Sequence, residues 1–323
     1  MTTFNKVVFN LNIILMAVVM LLMVTACNTE TQKTAEDYVN LGKEALSENS
    51  FNEAIGFCNQ SIALNPNNVS VYCVRGTAYV GLRDFDTAIA DFSQAINLNP
   101  NESVAYCLRG IAYEAMENWD NAIDDYSQAI VLYPEYASAY RYLGNVYTEM
   151  SNWEQALENY NRSIEIDPGY APAYCDRGLL YIDLYELDMA ETDLNRAIEL
   201  DPYLDTAYSG RGFIFFMSLD MNNALLDFNH AIELNPNNAL AYRGRAITYS
   251  TLDDQDRALA DANRAIELDP NSAEAYFGRG VIRKRLGNVE GAIADFQKCL
   301  TLNPDADTKE EAEEYLEELG VAP

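Results

Sequence analysis

The chain has 323 residues, 49% of them hydrophobic, which is room for two or three compact domains or one long array. Fifty acidic against 21 basic side chains give a formal net charge of −29. Phosphate binding needs clustered Lys and Arg that release counterions, so this balance argues against nucleic acid as a partner, and equally against adsorption to anionic lipid by charge.

From the N-terminus, Met1 to Lys6 carries one positive charge and no acid, Val7 to Val24 is apolar apart from Asn10 and Asn12, and Val24-Thr25-Ala26 leads into Cys27. A positive start, an apolar stretch and a small-residue boundary mark a secretory signal, to be set apart from the fold. The junction resembles the lipobox of bacterial lipoproteins. That resemblance implies that residues 1–26 are removed and that Cys27 is acylated and becomes the membrane-bound N-terminus. Two or three acyl chains hold a protein stably where one holds it weakly. Residues 27–34 are then the lipidated cysteine and a polar tether. The protein would sit in the cell envelope outside the cytoplasm, on the outer face of the plasma membrane or the periplasmic face of the outer membrane. The same stretch also reads as an uncleaved single transmembrane anchor, since 18 residues can just cross a bilayer.

The prolines set the ruler for the rest. Eight of the ten, from Pro66 through Pro100 to Pro304, stand 34 residues apart. A fixed period of that length is the signature of stacked helical hairpins. With each proline at position 32, eight repeats run from Ala35 to Ala306 with nothing inserted or lost.

Laid over one another, the repeats share a pattern. Position 4 is tyrosine in all eight, position 8 is glycine in seven and alanine in one (Ala246), and position 11 is usually aromatic. Spacings of four and three put these on one face of a first helix. Position 20 is always alanine and position 27 always small, again on one face, now of a second helix. Asn, Asp or Tyr precedes each proline, whose ring disfavours helical geometry there and stops the helix. This pattern resembles the tetratricopeptide repeat, with tyrosine where that family often has tryptophan. The resemblance implies an all-α, right-handed solenoid whose concave face, lined by first helices, binds peptide segments of protein partners. One hairpin cannot bury its apolar face alone, so stability must come from stacking.

Residues 307–323 read as a capping helix and tail. Asp307-Thr308-Lys309-Glu310-Glu311 offers capping residues, and Ala312, Tyr315, Leu316 and Leu319 form an apolar stripe on an otherwise acidic helix. The basic run Arg283-Lys284-Arg285 in the eighth repeat is expected to face this acidic cap.

Little in the chain suggests chemistry. His230 is the one histidine, and general acid–base or metal chemistry normally needs such a ring held by a second group. Phosphate loops, nucleophile elbows and metalloprotease motifs are missing from the sequence, so neither an enzyme nor a cofactor or metal site is expected. Cys58 and Cys299 fall in core slots, while Cys73, Cys107 and Cys175 share position 5, too widely spaced for disulfides between neighbours. A carboxylate-based hydrolase or a glycan-binding envelope protein, the latter suggested by 22 tyrosines, are the other readings. The repeat register weakens both by assigning most acids and tyrosines to packing or surface slots.

Two regularities remain. Position 7 is arginine in six repeats (Arg75, Arg109, Arg177, Arg211, Arg245, Arg279), and position 23 is aspartate in the same six (Asp91, Asp125, Asp193, Asp227, Asp261, Asp295). The first and fourth repeats lack both, with Leu41 and Phe57 in one and Leu143 and Asn159 in the other. Joint gain and loss predicts a structural salt bridge within each hairpin. Large apolar residues also gather on the first-helix face at positions 5, 9 and 12: Leu179, Ile182, Phe213, Phe216, Ile247 and Phe277. If that face is open, these are the expected partner-binding residues.

Overall fold

A computed structural model describes residues 33–322; the expected signal segment, Cys27 and most of the expected tether lie outside the described residues. Among those described, every regular element is an α-helix, and none is long and apolar enough to cross a membrane. The fold is an all-α solenoid of helical hairpins, and it divides after Leu132 into two compact units.

The first unit holds three hairpins: α1 (Ala35–Ser47) with α2 (Phe51–Leu64), α3 (Val69–Gly81) with α4 (Phe85–Leu98), and α5 (Ser103–Glu114) with α6 (Trp119–Leu132). The second unit holds five, followed by a terminal helix. Its hairpins are α7 (Ala137–Glu149) with α8 (Trp153–Ile166), α9 (Ala171–Asp183) with α10 (Leu187–Leu200), α11 (Asp205–Met217) with α12 (Met221–Leu234), α13 (Ala239–Thr251) with α14 (Gln255–Leu268), and α15 (Ala273–Arg285) with α16 (Val289–Leu300). The terminal helix is α17 (Ala306–Glu318).

Close approach within a hairpin follows from the small residues. Alanine at position 20 is fully buried in every repeat, from Ala54 to Ala292. The glycine at position 8 lies under the side chain at position 24. A Cβ on Gly212 would stand 2.8 Å from Phe228 Cε1, and one on Gly110 would stand 2.7 Å from Tyr126 Cε1. In the seventh repeat, where position 8 is Ala246, position 24 shrinks to Ala262. The two slots share one volume.

Both turns have local causes. Between the helices of a hairpin, position 15 takes positive φ in all eight repeats, although only Gly287 there is glycine. The first helix closes on that residue with paired backbone bonds, as in Asp220 N to Phe215 O (2.8 Å) and Leu219 N to Phe216 O (3.0 Å). After the second helix of six repeats, the residue before proline is extended and its side chain accepts from the backbone two residues on, as Asp167 Oδ1 does from Gly169 N at 2.9 Å; Tyr133 makes no such bond, and Asn303 takes a φ of 52° instead.

The terminal helix begins one residue earlier than the sequence suggests. Asp305 caps it, accepting from Thr308 N at 2.8 Å, while Ala312 and Leu316 are fully buried. Of the basic run, only Lys284 meets this helix, bonding Glu318 and lying over the Tyr315 ring. Arg283 turns into its own hairpin to Asp295 (2.8 Å), and Arg285 donates to Ser250 O (2.7 Å) in the preceding first helix. Acceptors in the two hairpins, the Asp295 carboxylate shared with Arg279 and the Ser250 carbonyl, take two of the three cations instead of the cap.

Candidate partner-binding groove

Each of the six arginines at position 7 forms a two-pronged bond with the aspartate at position 23 of its own hairpin. For Arg245, Nε lies 2.7 Å from Asp261 Oδ2 and Nη2 lies 2.9 Å from Oδ1. The planar guanidinium matches the planar carboxylate, which makes this geometry both directional and strong. A third prong, which the sequence reading missed, reaches position 25 of the preceding hairpin: Arg75 Nη1 donates to Asn59 Oδ1, Arg109 to Ser93 Oγ, Arg177 to Asn161, Arg211 to Asn195, Arg245 to Asn229 and Arg279 to Asn263. The arginine therefore ties two hairpins as well as two helices. The recurrence of Asn at position 25 was the available signal.

The first repeat of each unit is built differently. Repeats one and four lack the arginine and instead carry serine at position 27, where Ser61 Oγ donates to Ala35 O (2.7 Å) and Ser163 Oγ to Ala137 O (2.8 Å).

The apolar residues singled out on the first helices are half-buried. Leu179 presses on the backbone at Gly210, and Phe213 meets the Phe228 ring edge-on at 5.1 Å. Ile247 faces Gly278, and Phe277 packs against both Phe296 and Tyr315, which stack on each other. Phe216 and its neighbour Phe215 border the core around Phe228, and Ile182 borders that around Leu194. These side chains thus sit between neighbouring first helices, with part of each still open to solvent.

Within the second unit lies a cavity of about 740 Å³ whose walls come from widely separated repeats. Glu149 and Asp183 end the first helices of repeats four and five; Arg243, Asp269, Glu274 and Asp305 come from repeats seven and eight. Five carboxylates and one guanidinium face the same space. Enclosure raises the Asp183 carboxyl above its ordinary range; Arg243 pulls it down, and Asp305, Glu149 and Glu274 push it up again. Arg243 lies over the Phe213 ring at 5.2 Å and 3.7 Å from Glu274 Oε2, beyond hydrogen-bond reach. Burial pushes its pKa below the usual arginine value.

No comparable arrangement surrounds the other reactive side chains. Burial pushes the Cys58 and Cys299 thiols up to about 11 and those of Cys73 and Cys175 up to about 12, so these four are poor nucleophiles at neutral pH. His230 is a surface residue, edge-on to Tyr208 at 4.5 Å. No group of three or more His, Cys, Asp or Glu with metal-holding geometry occurs among the described residues.

Tetratricopeptide repeat models match residues 69–102, 103–136, 171–203, 228–260 and 245–317, and a TPR repeat model matches residues 144–184. The chain belongs to the tetratricopeptide repeat family. This tetratricopeptide repeat protein is similar in structure to one chain of the APC/C hetero-tetramer Cut9-Hcn1, with a TM-score of 0.72 and 17% identity over 91% of its own length. It spans only 57% of that chain. It is also similar to a tetratricopeptide repeat protein from Parabacteroides merdae (TM-score 0.58, 24% identity, 76% of this chain and 98% of that one). Yeast Tom70 is a third such structure (TM-score 0.57, 19% identity, 91% of this chain and 65% of that one). At these identities the likeness shows the fold alone. No match is found among curated proteins. The architecture is that of a protein-interaction scaffold.

Proposed function

We propose that the protein is a non-catalytic adaptor, lipid-anchored through Cys27 at a bacterial envelope membrane, that holds a segment of a protein partner in the groove of its second unit. The observation that carries this reading is the cavity of about 740 Å³, which gathers side chains from four repeats where a partner can touch all of them at once. None of Leu179, Ile182, Phe213, Phe216, Ile247 and Phe277 lines that cavity; Phe213 is linked to it through Arg243, whose guanidinium lies over its ring. The anchor rests on the Val24-Thr25-Ala26-Cys27 junction. The tether from Asn28 to Thr34 spans at most about 24 Å, so the first repeat would stay close to the bilayer.

The test is in cells. Mass spectrometry of the mature N-terminus should show acylated Cys27, and Cys27→Ser should leave the precursor unprocessed. An intact Met1 on the wild-type protein would rule the lipid anchor out. Crosslinking of the full-length protein, followed by sequencing of crosslinked peptides, should place a partner segment against residues 149–305. Crosslinks confined to the outer helices would dismiss the groove.

A further inference from the structure

We infer that the groove of the second unit accepts a basic, Lys- or Arg-bearing peptide segment, and that Arg243 occupies part of its cation subsite in the free protein. The inference presupposes the interaction groove proposed above and adds the chemistry of its occupant.

Two observations carry it independently. The first is the sign of the walls. Glu149, Asp183, Asp269, Glu274 and Asp305 face one cavity, and a single guanidinium answers them. Glu149, Asp183, Asp269 and Asp305 are exposed and Glu274 is partly so; like charges gathered on the walls of one open groove repel one another, which a cation entering the groove relieves. The second is the state of Arg243. Every arginine at position 7 is satisfied by two carboxylate oxygens and a third acceptor, whereas Arg243, at position 5, has Glu274 at 3.7 Å and no carboxylate bound in two prongs. It rests on the Phe213 ring with Glu274 alongside, a pairing of aromatic face and carboxylate that also suits guanidinium and ammonium groups from outside. The groove is thus already shaped for a cation, and the chain supplies an imperfect one.

Electrostatics decide against the opposite occupant. An anionic segment could pair with Arg243 only by entering among five carboxylates, and the net charge of −29 adds a long-range penalty. A basic segment gains on both counts. Entry of a cation would also lower the raised Asp183 carboxyl and release its proton. Binding should therefore strengthen as pH rises from the ordinary carboxylate range through the raised Asp183 value. The groups facing Asp183 that share this linkage are Arg243, Asp305, Glu149 and Glu274.

The experiment uses the full mature chain and three labelled ten-residue peptides: one alternating Arg and Ala, one alternating Glu and Ala, and one of Ser and Ala. Fluorescence anisotropy at physiological salt should show binding of the Arg peptide alone. The groove variant Glu149→Gln/Asp183→Asn/Glu274→Gln should weaken it about tenfold or more, whereas Glu310→Gln/Glu311→Gln/Glu314→Gln, which removes the same charge from the terminal helix, should leave it nearly unchanged. Arg243→Met should tighten binding several-fold by vacating the subsite, an outcome that a purely structural role for Arg243 would not give. Circular dichroism and thermal melting of each variant separate loss of binding from loss of fold. Equal weakening by the two triple variants, or tighter binding of the Glu peptide, overturns the inference. If cellular crosslinks map to the groove but the captured segment lacks Lys and Arg, the scaffold reading stands and the charge inference fails; if no crosslink maps there, both fail.

Discussion

Arg211 grips Asp227 with two parallel hydrogen bonds, Nε to Oδ2 at 2.7 Å and Nη2 to Oδ1 at 2.9 Å, while its Nη1 donates to Asn195 of the hairpin before at 2.8 Å. One side chain therefore fixes the crossing of two helices and the stacking of two repeats. The aspartate is nearly buried and the arginine one-fifth exposed, so the pair is neither a freely screened surface contact nor a fully desolvated one. Asp227→Ala should cost on the order of 2 kcal/mol, and a double-mutant cycle with Arg211→Ala should show coupling of about 1–2 kcal/mol in urea unfolding. Arg211→Lys should recover little of it, because an ammonium cannot make the two-pronged contact. Full recovery by lysine would show that charge alone matters here.

Leu219 sits at position 15 with φ of 62°, and its side chain is 79% exposed. A left-handed backbone costs a branched side chain strain that glycine escapes, and an exposed side chain has little packing to lose. Leu219→Gly should stabilise the second unit by up to about 1 kcal/mol, read as a rise in melting temperature. Gly287→Ala, at the matching turn of repeat eight, should lower it. A fall for Leu219→Gly would mean that the exposed leucine makes a contact that matters to stability.

Gly212→Ala should be costly, because its Cβ would meet the Phe228 ring at 2.8 Å. Overpacking of this kind costs about 1–3 kcal/mol. The opposite exchange in repeat seven, Ala246→Gly, should cost only about 0.5–1 kcal/mol, the ordinary penalty of glycine within a helix. Denaturant midpoints of the two variants give the comparison directly.

These three sites show what the sequence displays and what it hides. Contacts that repeat at a fixed offset within a hairpin are written into the 34-residue period: the joint presence of arginine at 7 and aspartate at 23 points straight at Arg211 and Asp227. Contacts between hairpins need the stacking geometry as well, so the asparagine recurring at position 25, Asn195 among them, does not by itself disclose its arginine partner. Turn strain at Leu219 was invisible, because no glycine marks it. The groove was the least legible feature of all. Glu149 and Asp305 stand in unrelated slots of the repeat, and only the winding of the second unit brings them to one cavity.

Asp183 offers a pH test of that winding. Its folded pKa is raised, so the folded state binds its proton more tightly than the unfolded chain does. Its carboxylate therefore opposes folding above the raised value, and that opposition fades as pH falls through it toward the ordinary carboxylate range. Asp183→Asn should accordingly raise stability at pH 7 relative to wild type, with the difference closing as the solution is acidified past that window. A gap that stays constant with pH would mean that enclosure and the neighbouring acids do not act on this group.

The central claim, that a partner segment lies in the groove of the second unit, is tested most directly by a photo-crosslinking residue placed at Leu240, which lines the cavity, in cells making the full-length protein. The same residue placed at Leu226, 64% exposed on a second helix, serves as the comparison. A discrete adduct from position 240, mapped by mass spectrometry to one segment of one partner and missing from position 226, is the predicted result. The same adducts from both positions, or an adduct from position 226 alone, would contradict it.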